Sequence, residues 1–339
     1  MKTLIRSGLR VLLGSFALLL ASWSYFFLVV APGEYDAGAT AFDVGFAFTA
    51  FMLGVRHAFD PDHIAAIDNT TRKLISDEKD ASSVGTWFAL GHSSIVVMAV
   101  GLVTAGLGGF TEQMSDEGSS LRAFADVWGP SVSSIVLLIL AAVNLTILLA
   151  AVRPPRRGGR RSDQRPAGGV GTRLILRVGA VIDRPWKMYL VGLMFGLGFD
   201  TASTITLLLI AGGAGVIMPW YAAMVFPLLF AAGMVACDGV NSILMARAYA
   251  WTTDRPDHRL PYNVTLISIS VAVATIVGLV GLSGVLVETL GLYWPPLVLA
   301  ASVDLDNFGF LVVGALITAW ITSWLVARRC SRVVAVSGG

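Results

Sequence analysis

Charge is scarce in this chain. Asp, Glu, Lys and Arg make up 14% of its 339 residues, where a soluble globular protein carries roughly a quarter. A soluble domain is thereby excluded. Cysteine is nearly missing. Cys237 lies in an apolar segment and Cys330 in the tail, which argues against a disulfide framework and against the thiolate cluster that selects copper(I). Histidine numbers only four, too few for the histidine boxes of a membrane di-iron hydroxylase. The zinc-protease pattern His-Glu-x-x-His is absent, and so is any Gly-rich phosphate loop, so neither a zinc protease nor a nucleotide-driven pump fits. The apolar stretches do not alternate with polar residues, so they are not the strands of a barrel. The basic stretches carry no interleaved aromatics and do not indicate a nucleic-acid partner.

Long apolar runs are what the chain has instead. Hydrophobic residues make up 55% of it and the mean hydropathy is +0.75. Several runs reach about 20 residues, enough to cross a hydrocarbon core roughly 30 Å thick. The expected class is an all-α, polytopic integral membrane protein with eight spans, at 11–31, 42–67, 84–108, 131–152, 187–212, 217–246, 263–287 and 308–327. The first run has the basic start of a signal peptide. It is too long and lacks a cleavage pattern, and so reads as a span.

The net charge of +2 matters less than its placement. Lys and Arg are concentrated in the N-terminal tail, the 2–3, 4–5 and 6–7 connections and the C-terminal tail. The other connections hold only Arg122, and Arg56 lies inside a span. The positive-inside rule then places both termini in the cytoplasm of a cell membrane. The Arg-, Pro- and Gly-rich stretch 153–186 reads as a basic cytoplasmic linker between two membrane halves, 1–152 with spans 1–4 and 187–339 with spans 5–8. Attraction to lipid headgroups accounts for its arginines.

Ionisable groups at membrane depth are costly and usually face a functional cavity. Here they collect in "RHAFDPDHIAAIDN", which holds Arg56, His57, Asp60, Asp62, His63 and Asp68. Span 3 adds His92, span 5 adds Asp200, and span 6 adds Asp238 with Asn241 one turn on. At about 1.5 Å per residue, all of these fall between the midplane and the cytoplasmic face. At 100° per residue, His57, Asp60 and His63 share one helix face and Asp62 points elsewhere. Pro61 should break the helix, free backbone carbonyls and let Asp62 turn inward. Imidazole with carboxylate suits nickel, cobalt, copper or zinc better than magnesium or calcium. The candidate metal residues are His57, Asp60, Asp62, His63, His92, Asp200 and Asp238. Asp68 reads as a cap at the cytoplasmic end of span 2, Arg56 as half of a structural ion pair, and Gly192 with Gly196 as a close helix contact.

These motifs resemble those of the nickel/cobalt transporter family (NiCoT). The first is "RHAFDPDHIAAIDN", with His57, four residues, then Asp62 and His63. "LGHSSIVV", "GLGFDTAS" and "LFAAGMVACD" are similar to the family's later motifs, and "YNVTLISISVAVATIVG" to its seventh span; together the likeness covers about 45–330. The resemblance implies eight spans, cytoplasmic termini, and uptake of Ni²⁺ or Co²⁺ by a secondary transporter that is not an enzyme. It implies no bound cofactor, the dication and the bilayer as partners, and no nucleotide-hydrolysing partner. Two positions depart from the family pattern: Thr204 and Asn241 stand where it has acidic residues. "AFD" at 58–60 and "GFD" at 198–200, in spans of opposite direction, suggest an inverted repeat. Efflux of the same metals and a metal-binding sensor are the alternatives.

Overall fold

The computed structural model describes residues 2–33, 35, 43–104, 118–152, 181–197, 218–253, 256–305, 308–315 and 318. Among them every regular element is helical. Five described helices are long and apolar enough to cross a membrane: Arg6–Gly33, Val84–Thr104, Arg122–Leu149, Trp220–Ala250 and Ile267–Glu288. These correspond to expected spans 1, 3, 4, 6 and 7. Spans 5 and 8 lie partly outside the described residues.

α1 is Lys2–Tyr25, prolonged by a π turn, Phe26–Val30. It packs against α7, Val225–Thr253. Ser22 Oγ donates to the Leu228 carbonyl (3.3 Å) and Tyr25 OH to that of Tyr221 (2.6 Å). The first apolar run is therefore a member of the bundle. Span 2 is two helices, α2 (Val44–His57) and α3 (Pro61–Ser76). Asp43 starts α2, its Oδ1 accepting from the amides of Gly45 (2.8 Å) and Phe46 (3.4 Å), which satisfies donors with no partner inside the helix. α4 is Val84–Thr104. α5, Ser120–Val152, begins eleven residues before the expected start of span 4 and runs straight through Pro130. α6 is Met188–Gly196, α8 is Pro256–Glu288 and α9 is Pro295–Ala301. A further helix, α10, occupies 308–315.

α3 is the axis of this arrangement. It contacts α4, α5, α7 and α8, and every residue from Pro61 to Leu74 except Asp62 is buried. An all-round buried helix is normally apolar. This one carries Asp68, Asn69, Thr70, Thr71, Arg72 and Lys73 among its buried residues. The apolar core lies on either side of it. Ile64, Ile67 and Leu74 pack with Phe88, Leu137 and Met188, while Ala47 and Ala50 of α2 pack with Phe226, Leu229 and Phe230 of α7.

The 2–3 connection is shorter than expected, because the helix persists to Ser76. Arg72 thus moves from a loop into the bundle interior. Lys73 Nζ stays near the end of α3, donating to Asp77 (3.0 Å) and to the Ile182 carbonyl (2.9 Å). Beside Ile182, the Lys187 ammonium donates to Asp183 and holds that carboxyl below the usual carboxylate range.

Candidate metal centre

The centre is built on the break between α2 and α3. Pro61 takes the first position of α3, where its missing N–H costs nothing. Asp60, ahead of it, is extended (φ −63°, ψ 138°), the conformation a following proline imposes. The Ala58 amide donates to the Gly54 carbonyl, Phe59 to Arg56 and Asp60 to His57, at 2.9–3.2 Å. The break therefore re-satisfies these three carbonyls instead of presenting them to an ion, contrary to expectation. It also frees the Asp60 carboxylate, which caps no amide and lies 2.7 Å from His57 Nδ1. Phe59 stacks on Phe310 of α10, ring centroids 4.9 Å apart, and steadies the turn.

Three histidines converge here. His57 ends α2, His63 lies in the first turn of α3, and His92 comes from α4; all are buried. One ligand nitrogen from each lies within 4.8 Å of the others. His57 Nε2 and His92 Nε2 are 2.9 Å apart. The ring centroids are 4.6 Å (His57–His63), 4.7 Å (His57–His92) and 4.8 Å (His63–His92) apart. Close helix approaches put His92 in place. A Cβ on Gly91 would lie 2.0 Å from the Tyr189 carbonyl oxygen of α6, and one on Gly192 2.0 Å from that of Phe88. Only glycine lets α4 and α6 meet so closely. Gly192 and Gly196 thus make the helix contact expected of them. Gly85 plays the same part against α7, where a Cβ would lie 2.0 Å from the Asp238 carbonyl.

Carboxylates form the next layer. Asp238, fully buried on α7, lies 3.4 Å from His63 Nδ1. An ionised carboxylate only accepts, so His57 and His63 carry their protons on Nδ1, toward Asp60 and Asp238. Their Nε2 lone pairs then face inward, an arrangement of carboxylate, imidazole and open position typical of metal sites. His63 Nε2, His92 Nδ1 and Asp238 Oδ1 are buried without a hydrogen-bond partner. Such orphaned atoms are rare in folded proteins and call for an explanation, an ion being one. Phe88 edges onto His63 (4.8 Å) and Phe230 lies 5.5 Å from His57, making the walls apolar.

The other candidates are placed differently. Asp62 is half-buried and accepts from the His63 amide (2.9 Å); it does not join the three histidines. Asp200 and Thr204 lie outside the described residues, as does "GFD" of the suggested repeat. Asn241 is half-buried on α7 and Arg56 half-buried in the last turn of α2. Asp68 does not cap a helix. α3 continues two turns beyond it, and its carboxylate pairs with Arg72 (3.5 Å) and accepts from Tyr249. The part of Arg72 and Tyr249 was not read from the sequence, although Asp68 and Arg72 stand at the i, i+4 spacing of a helical ion pair.

A helix broken at a buried polar centre, within a bundle of helices apolar enough to cross a membrane, is the build of a multi-pass membrane protein, and the chain's relatives make it a transporter and not an enzyme. The comparisons agree. The family profile described as high-affinity nickel-transport protein (NicO) matches residues 44–326, and the chain belongs to that family. It is 40% identical to the nickel transporter NicT of Mycobacterium tuberculosis over 91% of this chain and 86% of that one. It is 38% identical to a high-affinity nickel transport protein of Cupriavidus necator, over 84% and 83%. Likeness to the cobalt transport protein NhlF of Rhodococcus rhodochrous is 35%, over 83% and 80%. No solved structure matches the chain.

Proposed function

We propose that this protein is a secondary transporter that carries Ni²⁺ or Co²⁺ into the cell across the cytoplasmic membrane. The observation that carries this reading is the three-histidine cluster with its two carboxylates. Imidazole nitrogens favour these cations over magnesium or manganese. The relatives named for high-affinity nickel transport and for cobalt transport support the choice of cargo.

The mechanism follows from the donors. A hydrated dication cannot cross hydrocarbon, so the protein must replace its water. His57, His63 and His92 supply nitrogens, and Asp60 and Asp238 offset the charge. Nitrogens around an ion at about 2.0–2.1 Å lie roughly 3–3.5 Å from one another. The present spacing, up to 4.8 Å, needs a contraction of about an ångström to grip it. The ion would take the place of the proton between His57 and His92, which would move to the unpartnered Nδ1 of His92 and keep that ring neutral. Protonation of the same groups releases it, because protonated ligands cannot hold metal. Asp62 and Asp200 are assigned to the pathway beside the centre. Both termini and the basic linker 153–186, joining the two halves, are assigned to the cytoplasm.

The test is metal content in a strain lacking the gene, complemented with wild type or His57→Ala. Restored nickel or cobalt accumulation by wild type alone is expected. Relief of metal sensitivity, with lower metal content, would mean efflux. Equal accumulation by a well-expressed His57→Ala protein would overturn the histidine site.

A further inference from the structure

A second buried polar assembly lies beyond the histidines, and metal binding alone does not account for it. It begins at Asp68, five residues past His63 on the same helix. Arg72 Nη2 lies 3.5 Å from Asp68 Oδ2 and also donates to Tyr249 OH and Ser270 Oγ. The Tyr249 hydroxyl donates to Asp68 Oδ1, and the Arg72 guanidinium stacks over the Tyr249 ring at 4.2 Å. Next to it, Asn144 Nδ2 donates to Asn69 Oδ1 (3.0 Å), and Asn69 Nδ2 reaches toward the Ser270 carbonyl (3.5 Å). Asp68, Asn69, Arg72, Asn144, Tyr249 and Ser270 are all buried. Four helices are tied together: α3, α5, α7 and α8.

Position is what gives the assembly meaning. Arg72 is nine residues past His63, and Tyr249 eleven past Asp238. At about 1.5 Å per residue both sit roughly 15 Å from the histidines, in the same direction. Tyr249 is one residue from the end of the apolar stretch Trp220–Ala250, and Ser270 three from the start of Ile267–Glu288. The assembly thus lies toward the end of the bundle that holds the start of α1, where Gly8 meets Arg247, and the end of α5. A narrow crevice borders the assembly, lined by Ile64, Asp68, Asn69, Ile269, Ser270 and Val312, and it is too constricted to admit water.

Packing alone is a poor reason for this chemistry. A buried ion pair is often no more stabilising than apolar side chains of the same volume. A carboxylate set between a cation site and one end of the bundle, and held by an internal cation, has a further use. We infer that the Asp68–Arg72–Tyr249–Ser270 network is the cytoplasmic gate of the transport pathway. Arg72 stands in for the dication at Asp68 while the gate is shut. An ion leaving the histidines repels the guanidinium and competes for the carboxylate, and the contacts to Tyr249 and Ser270 part. Gating of one part of a bundle against another, so that a fixed site opens to one side at a time, is the usual basis of alternating access. The inference rests on the proposed transport function.

The test places a single cysteine at Ile269, in the crevice wall, in full-length protein with Cys237→Ser and Cys330→Ser. Inside-out vesicles are treated with a membrane-impermeant methanethiosulfonate, and the modification rate is measured without metal. Slow modification is expected in this background. Arg72→Gln, and separately Tyr249→Phe, should raise the rate about tenfold or more, as losing a charge-assisted hydrogen bond would. Each variant is also checked for a monodisperse elution profile and for Ni²⁺ binding in detergent, both expected unchanged. Equal rates in folded variants that still bind Ni²⁺ would overturn the gate. If Arg72→Gln does not fold, Tyr249→Phe decides, because it removes one hydroxyl and keeps the ring. Loss of the histidine reading would show instead as Ni²⁺ binding unaffected by His57→Ala, whatever the cysteine reports.

Discussion

His57 and Asp60 are held 2.7 Å apart across the break between two helices. In an unbroken helix, residues three apart also neighbour one another. Here the extended backbone at Asp60, set by Pro61, turns the carboxylate back onto the last imidazole of α2. That bond fixes the ring and directs Nε2 toward His92. Asp60→Asn is expected to weaken Ni²⁺ binding on the order of 10–100-fold, the usual effect of losing such a partner. Isothermal titration of purified protein checks it; unchanged affinity would show that the bond does not orient the ligand.

Asp238 should matter for a different reason. It is fully buried, so its charge is expected to compensate an ion as well as to orient His63. Asp238→Asn keeps the shape and removes the charge. Accumulation of labelled nickel by cells should fall at least tenfold with surface expression unchanged, the scale of a lost metal-site partner. Normal accumulation would take Asp238 out of the site.

Gly192 is expected to tolerate no side chain. A Cβ there meets the Phe88 carbonyl at 2.0 Å, and backbone cannot step aside as a flexible side chain does. Gly192→Leu should destabilise the protein by about 3 kcal/mol or more, the upper part of the overpacking range. A lower melting temperature, or loss of the monodisperse peak, is the readout. A wild-type melting curve would contradict the close contact of α4 and α6.

Much of this centre was legible in the sequence, and for physical reasons. Ionisable residues inside apolar runs are rare enough to identify themselves, so His57, His63, His92 and Asp238 could be named without coordinates. Pro61 announced the break. What the sequence did not show depended on where chain segments meet. Asp68, Asn69 and Thr70 have the composition of a helix end, and only the neighbours α5, α7 and α8 let the helix carry them inward to Ser76. Arg72 read as a loop cation for the same reason. Tyr249, Asn144 and Ser270 sit in apolar stretches as single polar residues, and nothing local tells them from helix-packing residues. The eleven extra residues of α5 were hidden by Pro130, which usually ends a helix and here does not.

The two departures from the family pattern lead to a further expectation. The family resemblance sets Thr204 and Asn241 at positions of carboxylates, and a carboxylate lost beside an ion weakens the attraction for a dication. Thr204→Glu with Asn241→Asp should therefore tighten apparent affinity or change the order of nickel, cobalt and zinc in uptake assays. Unchanged transport of all three would mean that neither position faces the ion.

Metal-edge X-ray absorption of the Ni²⁺-loaded protein tests the central claim most directly, because imidazole rings scatter in a pattern that can be counted. Three imidazoles are expected around the ion, from His57, His63 and His92, and one fewer in His92→Ala. An ion surrounded by oxygen alone, or a spectrum that His92→Ala leaves unchanged, would contradict it.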